Sequence, residues 1–275
     1  MTPQFDKLVS ECGISYYRYG SGPCLILIHG VGLRAESWYR YTESLSEHFD
    51  LIILDLPGHG KSRPLSLKNQ QASLSDYTRT ISDFVATQTQ QPFFICGHSL
   101  GSLIAIEMAA TLGKQVLAIA ALNAIYERSD EALQAVQARA KLLQDSKVIV
   151  GVEETIERWF GKKIDAEQQN YASLCEEWLQ ASDLDGYATA YKTFSDQRGP
   201  TPDTLNAIAC PSLYMTGDLD LNSSSEMSSQ LAALSTPPAS VLVIEDAGHM
   251  MPLTHASQVS RELIKLKISN GNTRP

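Results

Sequence analysis

The 275-residue sequence lacks a CxxC pair, an excess of positive charge, an internal repeat and any apolar run long enough to span a bilayer. Each absence excludes something. The five cysteines (Cys12, Cys24, Cys96, Cys175, Cys210) are dispersed and odd in number, which favours free thiols in a reducing compartment. A net charge of -9 argues against nucleic acid as a partner and gives no basic patch for a membrane surface. The first residues, Met1 to Asp6, lack a basic region followed by an apolar core, so no secretory signal is expected and a cytoplasmic location is. No His, Asp and Glu set has metal-ligand spacing, so neither metal nor cofactor is expected. Oligomeric state leaves no mark on the sequence.

What is present is a rhythm of short apolar runs and helical segments. Ser15 to Tyr19 is rich in strand formers and ends at the turn Gly20-Ser21-Gly22-Pro23. Leu25 to Ile28 and Leu51 to Leu54 are continuous apolar runs, too short for helices and suited to strands buried on both faces. Further strands are expected at Phe93 to His98, Val116 to Leu122, Ser212 to Thr216 and Val241 to Ile244. Helical patterns cover residues 37–47, 74–90, 224–234 and 256–268, and the polar end from Ser269 is expected to fray. Strands alternating with helices predict an α/β fold, a mostly parallel sheet of roughly eight strands with helices on both faces.

From Ala124 to Asp196 the rhythm changes, and no buried strand is expected. Helical segments at roughly 129–145, 152–160, 166–180 and 184–195 carry Trp159, Phe160, Tyr171, Trp178, Tyr187, Tyr191 and Phe194. A helical insertion between two strands of a sheet fits a lid with an apolar underside. The expected organisation is core over 1–124, helical cap over 125–198 and core again over 199–275.

Ser99 sits in Gly97-His98-Ser99-Leu100-Gly101, between an apolar strand and a helix rich in small residues. A serine on so sharp a turn has a strained backbone, and flanking glycines avoid the clashes that Cβ atoms would cause. The following helix aims its first N–H groups at the same place. Three other groups also follow strand ends, where ligands bind in open parallel sheets: His29-Gly30-Val31, Asp220 and His249. Serine needs a base to become a nucleophile, and the base needs an acid to hold its tautomer.

The sequence resembles the α/β-hydrolase-fold proteins over nearly its whole length. The resemblance rests on His29-Gly30-Val31-Gly32, Asp55-Leu56-Pro57-Gly58-His59-Gly60-Lys61-Ser62, Gly97-His98-Ser99-Leu100-Gly101, Gly217-Asp218-Leu219-Asp220 and Gly248-His249. It implies Ser99 as nucleophile, His249 as base, Asp220 as acid, and an oxyanion hole from the backbone N–H groups of Val31 and Leu100. Asp218 is the rival acid, ranked below Asp220 by family spacing, and Asp246 comes third. Some relatives place the acid after the strand that ends near Asn123, where an asparagine cannot serve. Relatives that open epoxides or displace halide carry aspartate in place of the serine, so Ser99 implies acyl chemistry.

His29 is expected to orient the oxyanion loop, His59 to be structural, and His48 and His255 to be surface residues. His98, Trp159, Trp178, Tyr187 and Tyr191 are candidates to line the pocket. The expected activity is that of a serine hydrolase acting on a small-molecule acyl substrate, a carboxylic ester or lactone. A carbon–carbon bond hydrolase or lyase would use the same triad, and a catalytically weak, receptor-like binding protein would share the fold. Arg128, Arg139 and Arg158 discriminate: one pointing into the pocket supports a carboxylate-bearing substrate, whereas a solvated helix face would carry all three without consequence.

Overall fold

The computed structural model describes residues 6–67, 71–146, 148–236 and 239–271. The sequence expectations for Met1 to Phe5 and for the last four residues lie outside these. The strands are β1 (Leu8–Val9), β2 (Ser15–Gly20), β3 (Cys24–Ile28), β4 (Asp50–Leu54), β5 (Phe93–His98), β6 (Val116–Leu122), β7 (Ser212–Gly217) and β8 (Ala239–Ile244). They form one eight-stranded sheet in the order β1-β2-β4-β3-β5-β6-β7-β8. The β1/β2 and β2/β4 pairs are antiparallel, and every pair from β4 to β8 is parallel.

The apolar runs of β3 and β4 are continuous because helices cover both faces. Ile26, Ile28, Ile52, Leu54 and Ile95 pack with Tyr77, Ile81 and Phe84 of α2 (Leu74–Gln88) and with Ile104 and Met108 of α3 (Leu100–Leu112). Their alternates Leu25, Leu27, Leu51, Ile53 and Phe94 face the other way. There they meet Trp38, Tyr41, Leu45, Val259 and Leu263. The helical expectation for 37–47 resolves into a 3-10 helix, Ala35–Tyr41, followed by the short α1, Thr42–Ser46.

Between β6 and β7 lie α4 (Asp130–Asp145), α5 (Val152–Phe160), α6 (Ala166–Gln180) and α7 (Leu184–Ser195). Their starts are written in the local sequence. Ser129, Asp165 and Asp183 each accept a backbone N–H from the first turn, which satisfies donors that the helix itself leaves free. After these come α8 (Pro202–Ala207), α9 (Ser225–Leu234), α10 (Met251–Thr254) and α11 (Ala256–Gly271). The backbone of α11 continues to Gly271, past the expected start of fraying at Ser269.

Two glycines set the position of α3 against the sheet. A Cβ on Gly97 would lie 2.0 Å from the Gly101 carbonyl oxygen, and one on Gly101 would lie 2.3 Å from the Ile28 carbonyl oxygen. The helix backbone thus rests directly on β3 and β5. Gly101→Ala is expected to lower stability by about 2–3 kcal/mol through this overpacking. Urea unfolding reads the loss, and an unchanged midpoint would show that the contact relaxes freely.

Candidate active site

The turn from β5 into α3 puts Ser99 at φ 55°, ψ -115°, a strained conformation for a residue with a Cβ. Its amide donates to the Leu122 carbonyl at the end of β6 (2.9 Å), which ties the turn to the neighbouring strand. The Ser99 Oγ lies 3.2 Å from His249 Nε2. His249 Nδ1, on the other side of the ring, donates to Asp220 Oδ2 at 2.8 Å. The three side chains come from the ends of β5, β7 and β8, and all are buried.

Asp220 is tightly partnered. Its Oδ2 also accepts from the Asn123 side-chain amide (2.7 Å) and from the Ser223 hydroxyl, while Oδ1 accepts from the Asn222 backbone N–H (2.8 Å). Burial alone would raise its pKa. The adjacent His249, together with hydrogen bonds from His249, Ser223 and the Asn222 amide, instead holds the carboxyl well below the usual range. Asp218 faces elsewhere and accepts the Ala247 backbone N–H at 3.2 Å. Sequence reasoning dismissed Asn123 as an acid and did not find its role as a donor to the acid. Ser223, three residues past Asp220, carried no signal at all.

The loop after β3 carries Val31 into the wall of the cavity that Ser99 also lines, and a Cβ on Gly30 would lie 3.0 Å from the Ser99 Cβ; Leu100 supplies the first amide of α3. Among the described residues, neither the Val31 nor the Leu100 amide donates a hydrogen bond within the protein. Two buried histidines hold this loop. His29 Nε2 accepts from the Leu56 amide (2.9 Å), which leaves the proton on Nδ1, facing the Gly30 carbonyl at 2.7 Å. His59 Nε2 accepts from the Gly32 amide at 3.1 Å. His98 Nε2 donates to the His249 carbonyl at 2.9 Å and steadies the base's backbone. His48 and His255 are half-buried rather than fully on the surface.

A cavity of about 280 Å³ opens over Ser99 and His249. His98, Trp159 and Tyr191 line it, as do Val31, Val136 and Phe194. Trp178 and Tyr187, both expected to line it, do not. Trp178 packs with Leu33, Tyr171, Cys175 and Leu253. Tyr187 turns into the main core, where its ring lies over Gly32. Their helical spacing marked them as buried but could not say under which neighbour. All three arginines flagged in the sequence, Arg128, Arg139 and Arg158, line the cavity. Among the described residues no three His, Cys, Asp or Glu side chains group as metal ligands.

A model of the alpha/beta hydrolase family matches residues 25–262. The chain belongs to the alpha/beta hydrolase family. Within that family it is 36% identical over 249 residues to the (E)-2-((N-methylformamido)methylene)succinate hydrolase of Acinetobacter baylyi, covering 90% of this chain and 91% of that protein. It is 30% identical over 272 residues to a pimeloyl-[acyl-carrier protein] methyl ester esterase of Xanthomonas oryzae, covering 89% and 94%. The enol-lactonase structure from Burkholderia xenovorans superposes with a TM-score of 0.81 at 20% identity, covering 93% of this chain and 96% of that one, a likeness of fold. This alpha/beta hydrolase therefore shares both its sequence family and its architecture with hydrolytic enzymes.

Burial pushes His29 down to about 3, His59 to about 4 and His98 to about 3; a second imidazole nearby, His59 for His29 and His249 for His98, works in the same direction, because two rings cannot easily be protonated side by side. All three folded values lie below the ordinary value near 6.5, so the unfolded chain binds protons first as pH falls. Their contribution to stability is complete above about pH 6.5 and is lost as pH falls towards 3–4. Each is expected to cost up to about 1.4 kcal/mol per pH unit in that window. Urea midpoints should change little above pH 7 and drop steeply between about pH 6.5 and 4; equal midpoints at pH 7 and pH 5 would mean that the rings are not held neutral.

Proposed function

We propose that this alpha/beta hydrolase cleaves a small carboxylic ester or lactone through an acyl-enzyme at Ser99. The observation that carries the reading is the continuous contact from Ser99 Oγ to His249 Nε2 and from His249 Nδ1 to Asp220. His249 takes the hydroxyl proton as Ser99 Oγ attacks the substrate carbonyl carbon. Asp220 holds the ring's tautomer and stabilises the imidazolium. The Val31 and Leu100 amides receive the negative charge on the carbonyl oxygen, each typically worth about 3–4 kcal/mol of barrier. Collapse expels the alcohol, protonated by His249, and leaves the acyl group on Ser99. Water, deprotonated by the same ring, then releases the acid and restores the serine.

In this reading α4 to α7 form a cap over 125–198, between core segments 1–124 and 199–275. The cavity between cap and sheet receives the acyl substrate. Names of relatives support hydrolysis and include a methyl ester esterase. Among the described residues no helix is long and apolar enough to cross a membrane. The free cysteines, four of them buried, support a reducing, cytoplasmic setting. A net charge of -9 weighs against nucleic acid as a partner.

A fluorophosphonate is expected to label the protein once, on the peptide that holds Ser99. Ser99→Ala should abolish labelling and lower kcat on p-nitrophenyl esters by about 10⁵–10⁶-fold while leaving the fold intact by circular dichroism. Full activity in that variant would reject the mechanism, and ligand binding without labelling would favour a receptor-like protein. Product analysis separates ester from carbon–carbon cleavage. Asp220→Asn should lower kcat by about 10⁴-fold, because the ring loses its correct tautomer. Asp218→Asn should have a far smaller effect, and the reverse ranking would show that the acid is Asp218.

A further inference from the structure

Three arginines line the cavity over Ser99, and among the described residues no Asp or Glu lines it with them; Arg139 and Arg158 also face an adjoining pocket, which Glu154 shares. Arg128 lies just past β6, Arg139 on α4 and Arg158 on α5. Neutral groups hold each one. Arg128 is 5% exposed; it donates to the carbonyls of Gln197 (2.8 Å) and Phe194 (3.3 Å) and stacks 4.6 Å over the Phe194 ring. Arg139 Nε donates to the Tyr191 hydroxyl at 3.1 Å. Arg158 Nη2 donates to the Thr155 hydroxyl at 2.9 Å.

Among the described residues, none of the three forms an ion pair. Arg18, Arg40, Arg79 and Arg198, by contrast, each meet a carboxylate at 3.3 Å or less. Among the described residues Arg63 and Arg261 also form no ion pair, but neither lines the cavity. Burial lowers the pKa of Arg128, to about 10, and that of Arg158; the like charge of Arg139 works in the same direction on both. Glu154, on α5, acts on Arg158 through its charge without pairing with it. Arg128 is buried and Arg139 and Arg158 are half-buried; holding three like charges close together with no direct ion pair costs stability, so the arrangement needs another explanation. A guanidinium has five N–H donors, and most remain unused on each of these side chains.

We infer that the arginines form the anion end of the substrate site and bind a free carboxylate carried by the same small molecule whose carbonyl reaches Ser99. This rests on the serine hydrolase reading and narrows it to half-esters of dicarboxylic acids or carboxylate-bearing lactones. The planar fork of an arginine matches both oxygens of a carboxylate. A cavity of about 280 Å³ confines the acyl part to a short chain. Ala132, Ala135, Val136 and Trp159 supply apolar lining for that chain.

The test has two arms. In the first, Ser99→Ala protein is titrated calorimetrically with glutarate and, separately, with inorganic phosphate. Glutarate is expected to bind, and adding Arg139→Gln or Arg158→Gln should weaken it at least about 10-fold. No glutarate binding, or phosphate binding alone, would overturn the proposal. In the second arm, the wild type is given monomethyl and dimethyl glutarate. The charged half-ester should be favoured at least about 10-fold in kcat/KM. That ratio should collapse through KM in Arg139→Gln and Arg158→Gln and partly return in Arg139→Lys. Cleavage of both esters without a preference sinks the anion site and leaves the hydrolase reading standing. Arginine-dependent glutarate binding with no ester turnover and no fluorophosphonate labelling does the reverse.

Discussion

The close seating of α3 on the sheet is the constraint from which the site follows. Gly97 and Gly101 let two backbones meet where any Cβ would collide with a carbonyl. The turn between them is then too tight for ordinary dihedrals, and Ser99 takes up the strain at φ 55°. That same turn lifts the side chain out of the packed interface towards His249 and leaves the Leu100 amide without a partner in the helix. A looser seating would relax the serine backbone and lose both the aim of the hydroxyl and the direction of the amide.

The loop opposite Ser99 is held by polar groups instead of packing. Asp55, at the end of β4, is fully enclosed. Burial would raise its pKa, yet Lys7, nearby His29 and the Ala35 amide hold it below the usual range. It accepts from Lys7 (2.8 Å), the Ala35 amide (2.8 Å), the Lys61 amide (2.9 Å) and the Ser15 hydroxyl. These bonds join β2, the loop after β3 and the loop after β4. His29 and His59 complete the tie as neutral rings, each able to accept one amide because neither is charged. The Val31 amide is thus positioned by groups that carry no chemistry themselves.

Electrostatics divides the molecule. The chain as a whole is acidic, while the cavity beneath α4, α5 and α7 carries three arginines. Within the site, His98 stays neutral, so it adds no positive charge beside His249. The carboxylate of Asp220 lies behind the base and faces away from the cavity, among donors from Asn123, Ser223 and Asn222. Among the described residues no carboxylate stands in the wall of this cavity, so an arriving anion meets the arginines there, with Glu154 set beside Arg139 and Arg158 in the adjoining pocket.

Local sequence determined most of the fold. Apolar runs marked β3 to β7, because burial on both faces leaves little room for polar residues, and strand formers beside turn residues marked β2 and β8. Local sequence also placed Ser99, Asp218, Asp220 and His249 just past strand ends, and the resemblance to the family ranked Asp220 above Asp218. The eighth strand, Leu8–Val9, went unread because two exposed residues become a strand only by pairing with Ser15 and Tyr16. Tertiary structure alone decided which buried aromatics face the cavity. Trp159 and Trp178 share the same helical signature, but the first looks towards His249 and the second is walled off by Leu33 and Leu253. It alone set Asn123 and Ser223 against Asp220 and gathered three distant arginines around one space. Periodicity reports that a side chain is buried; which neighbour buries it depends on how separate helices dock, and no single segment carries that information.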